Sequence, residues 1–145
     1  MRSLKEGKML ANVRMGKEVV VTITNKVGAL AEMTNLLADA GININAVAGH
    51  AASGNQAKIM FVTADNARAM EVLKNKQYPS VVESDVVIAE LENRAGALKQ
   101  VSLKLATDNI DIKYIYGTTC GCQGPAMIIL ATSDNQKALN VIKGA

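Results

Sequence analysis

Apolar and polar positions along the chain follow two periods in turn, and each change of period marks an element. Val19 to Thr24 and Val86 to Leu91 are dense in β-branched residues and predict strands. Leu30, Met33, Leu37 and Ala40 then recur at helical spacing, as do Leu98, Val101 and Leu105, so a helix follows each strand. Gly41 and Asn109 suit the ends of these helices, because both tolerate the left-handed backbone of a C-terminal cap. Ile42 to Val47 and Ile110 to Ile115 return to strand periodicity. Turns at Ser53-Gly54-Asn55 and Gly121 to Gly124 lead into strands at Lys58–Thr63 and Ala126–Ala131. Asp65 and Asp134 are good N-caps for second helices carrying Ala67, Met70 and Leu73, or Ala138, Val141 and Ile142. A further strand is expected at Ser80–Ser84.

The two series are copies of one unit. Val19–Leu30 lies over Val87–Leu98 with Asn, Gly, Ala and Leu coincident and Lys26 matched by Arg94. The match continues through Leu37-Ala38 over Leu105-Ala106 and Ile42-Asn43-Ile44 over Ile110-Asp111-Ile112. After a one-residue slip, Thr63-Ala64-Asp65-Asn66 lies over Thr132-Ser133-Asp134-Asn135. Such agreement at turns, caps and apolar positions marks an internal repeat. The order strand, helix, strand, strand, helix, strand is the split βαβ plan: an α+β, ferredoxin-like (βαββαβ) domain with an antiparallel sheet and both helices on one face. Two such domains are expected, joined side by side at sheet edges, since uncovered edges need partners.

Composition removes several classes of function. The net charge of +3 comes from scattered basic residues, and aromatics make up only 3% of the chain. Neither an electrostatic footprint for nucleic acid nor a stacking platform for RNA is present. No apolar run has the length of a membrane span, and the start does not read as a signal peptide. A cytoplasmic protein with no nucleic-acid or membrane partner is expected. Cys120 and Cys122 lie too close together to read as a disulfide framework. With His50 they allow two readings, a soft metal site or a hairpin with two free thiols. A closed zinc site needs four ligands, so no metal and no cofactor is assigned. Glu90 and Glu92 share a strand face, but no nucleophile–base pair or phosphate-cradling loop accompanies them, so no catalytic residue is assigned.

Asn25-Lys26-Val27-Gly28-Ala29-Leu30 followed by Gly41-Ile42-Asn43-Ile44 resembles the signature of ACT domains, and Asn93–Leu98 with Ile110-Asp111-Ile112 resembles it again. The family shows proline where Val27 and Ala95 stand; proline there stiffens the turn, so the departure is a minor one. The resemblance covers both copies from about Val19 onward. It implies a protein that binds a free amino acid at an interface between domains, performs no reaction and regulates a partner enzyme of amino-acid metabolism, as a homo-oligomer. With no room for an enzyme beside the two copies, a free-standing pair is implied. The competing class is a protein–protein interaction module that assembles through its sheet edges with degenerate ligand sites.

The candidate ligand-binding residues are Asn25, Gly28, Ala29 and Leu30 in one loop and Asn93, Gly96, Ala97 and Leu98 in the other. A glycine at the strand-to-helix turn lets backbone amides approach an α-carboxylate beside a helix N-terminus, and an asparagine amide offers a zwitterion both donor and acceptor. Each asparagine equally well closes its own turn. By the resemblance, the ligand also meets the polar residue opening the second strand, Asn43 or Asp111, often from the neighbouring domain. Crossed pairing would join Asn25 and Gly28 to Asp111, and Asn93 and Gly96 to Asn43, leaving two unequal sites. Lys26 and Arg94 are either carboxylate partners or solvated loop cations. Tyr114 and Tyr116 share a strand face, which their rings are expected to cover.

The repeats are placed at 10–77 and 78–145, each opening on the strand that ordinarily closes such a domain: Leu10–Met15 in the first, over Tyr78–Glu83 in the second. Met15-Gly16-Lys17 and Glu83-Ser84-Asp85 are then expected as hairpin turns. The rival arrangement gives Ser80–Ser84 to the first domain and leaves the second short by one strand, a gap for Leu10–Met15 or a second chain to fill.

Overall fold

The computed structural model describes Gly7, Met9–Thr119, Gly121 and Gly124–Gly144. Among these residues the elements are β1 (Leu10–Thr24), α1 (Ala29–Asp39), β2 (Ile44–Ala51), β3 (Gln56–Thr63), α2 (Asn66–Lys74), β4 (Ser80–Leu91), α3 (Ala97–Thr107), β5 (Ile112–Thr118), β6 (Ala126–Thr132) and α4 (Asn135–Lys143). The chain divides into two compact units, residues 17–84 and residues 1–16 with 85–145.

In the 17–84 unit the strand order is β2-β3-β1-β4. β3 runs antiparallel to both neighbours, with Phe61 opposite Val19 of β1 and Val47 of β2. Alternate residues of β1 (Val19, Val21 and Ile23) pack with Phe61 against Met33 and Leu37 of α1 and Ala69 and Leu73 of α2. Each Val, Leu, Ile, Met or Phe side chain among them contributes about 1.5–3 kcal/mol by leaving water.

The second unit repeats the scheme with strand order β1-β4-β6-β5. Val87 lies opposite Leu130, and Tyr114 opposite Ala131. Val87, Ala89, Leu91 and Leu130 meet Val101 and Leu105 of α3 and Ala138 and Ile142 of α4. Both units are α+β with the ferredoxin-like layout.

These units are cut differently from the sequence repeats 10–77 and 78–145. The 10–16 segment goes with 85–145, because Met9 and Val13 are buried with Val101 and Leu105. Ser80–Ser84 goes with residues 17–79, where Val81 packs beside the core of α1 and α2. The expected hairpin turns at Met15-Gly16-Lys17 and Glu83-Ser84-Asp85 do not form, since β1 and β4 run through them unbroken. At Gly16 a Cβ would meet the Ile88 side chain, so the small residue there leaves that side chain room.

A polar knot is built twice at the entry to the second helix. The Asn66 amide oxygen accepts from the Thr63 N–H (3.1 Å) and hydroxyl (2.7 Å), and its NH2 donates to the Lys17 carbonyl (2.9 Å). Asn135 repeats this with Thr132 (2.9 and 2.8 Å) and the Asp85 carbonyl (2.9 Å). Asp65 and Asp134 cap the helices, accepting from the Arg68 and Lys137 amides. Asn109 and Gly41 take the positive φ expected of them, 55° and 71°.

Candidate functional site

The loop between β1 and α1 turns on Gly28, whose φ of 90° and ψ of −4° belong to the left-handed region. Gly28 is the N-cap of α1 and brings no capping side chain. The first-turn amides of a helix have no acceptor within it, and no capping side chain serves those of α1. α2 and α4 differ, because their first turns are closed by Asp65 and Asp134. Gly96 opens α3 in the same way, with φ 93° and ψ −13° and no capping side chain.

In the 17–84 unit the uncapped turn borders a cavity of about 360 Å³. Asn25, Lys26, Gly28 and Ala31 form its polar loop side; Ile23, Ala57 and Ile59 give it an apolar floor, and His50 stands at the β2 end. The His50 Nδ1 is 3.0 Å from the Ala51 carbonyl. Asn25 is fixed through its backbone, its N–H donating to the Asn55 carbonyl at 2.6 Å. Ala29 is buried in the core, whereas Leu30 and Val27 are exposed, Val27 completely. Four of the residues singled out by sequence (Asn25, Gly28, Ala29 and Leu30) thus meet around one cavity.

Asn43 does not join them within its unit. It lies just before β2, whose first residue pairs with Thr63, while the loop begins beside Gln56 at the other end of β3. At strand rise the separation is roughly 23 Å along the sheet. Asn43 donates to the Asn45 side chain (2.9 Å), and its carbonyl accepts from the Ala64 N–H (3.0 Å). Asp111 occupies the matching place in the other unit, tied to Ser133 through its N–H (3.1 Å to Oγ) and its carbonyl (2.9 Å from N).

In that unit Asn93 donates from its NH2 to Thr119 Oγ1 at 2.9 Å, Ala97 is buried and Leu98 is exposed. Arg94 pairs with Glu92, just beyond the end of β4, at 3.0 Å, and Arg14 with Glu90 of β4 at 2.8 Å, so both glutamates are in ion pairs. Tyr114 and Tyr116 stack with ring centres 6.4 Å apart. Cys120 and Cys122 lie outside the described residues. Among those described, no three His, Cys, Asp or Glu side chains are grouped to hold a metal ion, and no helix is long and apolar enough to cross a membrane.

A second, smaller cavity of about 180 Å³ shares Ile23, Lys26 and Ala29 with the first. Its walls carry Glu32 of α1 and the segment Lys76–Pro79 that leads into β4. The Tyr78 hydroxyl donates to Glu32 Oε1 at 2.8 Å. Burial first, then that hydrogen bond and the carboxylate charge, raise the phenol well above its ordinary pKa. Sequence reading missed Glu32, Lys76 and Tyr78, because no spacing links an α1 residue to a segment more than forty positions away.

Against known proteins, residues 15–144 match the model of the ACT domain pair, and the chain belongs to that family. Its fold is similar to a solved Bacteroides thetaiotaomicron protein, at 26% identity and TM-score 0.82, over 92% of this chain and 90% of that one. It is also similar to the ligand-free regulatory subunit of aspartate kinase from Thermus thermophilus, at 14% identity and TM-score 0.66, over 95% and 99%. The corresponding subunit from Thermus flavus gives 14% and 0.64, over 94% and 98%. No curated protein matches the sequence.

Proposed function

We propose that this ACT domain pair is a non-catalytic sensor that binds a free amino acid and passes that state to a partner enzyme of amino-acid metabolism. The observation that carries this reading is the uncapped first turn of α1 opening on a cavity with an apolar floor. An α-carboxylate accepts from the free amides and gains from the helix dipole. Asn25 and His50 meet the ammonium end, and Ile23, Ala57 and Ile59 take an apolar side chain. The regulatory subunits of aspartate kinase among the structural relatives support a regulatory role.

The finer parts of the proposal are the interface and the second loop. The ligand is closed in where ACT-type domains meet in a homo-oligomer, Asn93, Gly96, Ala97 and Leu98 being the second loop's contacts. Asn43 and Asp111 contribute across such interfaces. The Asp111 carboxylate then favours a ligand ammonium, and Asp111→Ala weakens the tighter site by about 5- to 150-fold. Equal affinities in calorimetry would remove Asp111 from the site. The first test is a thermal-shift screen over the common amino acids. One or a few should raise the melting temperature at millimolar concentration and be recovered unchanged. If none does, assembly through sheet edges becomes the better reading.

A further inference from the structure

We infer that the 180 Å³ crevice of the 17–84 unit is a second ligand site, for a small acidic amino acid, and that the matching place in the other unit does not form such a site. This rests on the sensor reading but concerns a different cavity. Lys26 and Lys76 line the crevice, and among the described residues neither is in an ion pair. The single anion there, Glu32, has one oxygen engaged by the Tyr78 hydroxyl and the other open to a ligand. Two cations against one anion leave a net positive charge of one. A neutral zwitterion would leave that charge uncompensated, whereas an acidic amino acid cancels it. Its two carboxylates meet Lys26 and Lys76, and its ammonium meets Glu32. The volume falls below the roughly 300–1,000 Å³ of sites for larger ligands, which confines the occupant to a small metabolite.

The other unit has its own occupant at the matching place. Glu32 corresponds to Gln100, and Gln77 of the crevice wall to Met9, by the register that sets Leu10 over Tyr78. Met9 is only 6% exposed and packs with Leu91, Ala97 and Val101. A Cβ on Gly96 would lie 3.7 Å from the Met9 methyl, whereas a Cβ on Gly28 would meet nothing within 4 Å. Gln100 holds the segment down, accepting from the Met9 N–H (3.2 Å) and donating to the Gly7 carbonyl (3.1 Å). Met9 is therefore packed into the core of one unit where Gln77 borders an open crevice in the other, and Gln100 cannot supply the anion that an ammonium needs.

Titration calorimetry of the full chain with L-glutamate and L-aspartate tests this. One equivalent of at least one of them should bind per chain. Lys76→Ala and Glu32→Gln should each weaken it at least about 10-fold. Lys74→Ala, which removes the same charge from an exposed position outside the crevice, should leave it within about 2-fold. Glutarate, lacking the ammonium, should bind more weakly than glutamate. Glutarate or inorganic phosphate binding as tightly as glutamate, a second equivalent per chain, or indifference to Lys76→Ala would each overturn the inference. If neutral amino acids bind and acidic ones do not, the crevice site falls while the sensor reading stands. If no amino acid of any kind binds, both fall.

Discussion

The duplicated asparagine knot gives a stability prediction that can be worked from distances. Asn66→Ala removes an acceptor from the Thr63 N–H and hydroxyl and a donor from the Lys17 carbonyl, at 3.1, 2.7 and 2.9 Å. Thr63 is buried, so its groups recover little from solvent; Lys17 is exposed, so water can replace the amide at its carbonyl. At a net of about 0.5–1.5 kcal/mol per hydrogen bond, with one partly recovered, the loss is roughly 2 kcal/mol. For a chain of this size that lowers the melting temperature by about 4–8 °C. Asn135→Ala breaks the same three contacts at nearly the same distances and should cost the same within about 0.5 kcal/mol. Urea denaturation of both variants measures this. A loss below about 0.5 kcal/mol in either would show that the knot is a consequence of the helix entry and does not hold it.

Three further outcomes follow from single positions. Gly117→Ala places a Cβ 2.4 Å from the Met127 carbonyl oxygen and 3.0 Å from the Ile128 Cα, so backbone must shift; a loss of at least about 2 kcal/mol is expected in denaturant melts, and a neutral variant would refute the close approach. Gly28→Ala meets no atom within 4 Å and is strained only by its φ of 90°, so melts should show a loss of about 1–2 kcal/mol without change in core packing. The raised Tyr78 pKa contributes stability in full below the unfolded phenol value of about 10, and this is lost as pH rises toward the folded value. Wild type should therefore lose stability above about pH 10 more steeply than Tyr78→Phe, and parallel curves would contradict the Glu32 contact.

Much of the fold was legible because it rests on local chemistry written twice. The αL positions at Gly41 and Asn109, the caps at Asp65 and Asp134, and the β-branched runs of β1 and β4 each declare themselves within a few residues. The assignment of Leu10–Met15 and Ser80–Ser84 was not legible, because the repeat makes the two segments equivalent and both arrangements satisfy the pattern. Burial of Met9 and Val13 against α3 decides it, and that is a long-range fact. Asn25, Gly28, Ala29 and Leu30 were found from the loop motif, since turn, helix start and cavity wall are one contiguous segment. Lys76 and Tyr78 reach the crevice only through the α2–β4 connection, and Met9 reaches Gly96 only by strand pairing. No sequence period carries either contact.

Ala31→Asp tests whether the first turn of α1 receives a carboxylate. Ala31 is exposed at the third helical position and lines the 360 Å³ cavity. An aspartate there suits the helix N-terminus and preserves or raises stability, while its charge sits where the ligand carboxylate should lie. The measurement is calorimetric affinity for whichever neutral amino acid gives the largest thermal shift, in wild type and in this variant, with both melting temperatures recorded. An unchanged or higher melting temperature is expected, with an affinity lower by at least about 10-fold, or roughly 1.4 kcal/mol. An affinity equal to wild type in a folded Ala31→Asp protein would contradict carboxylate binding there.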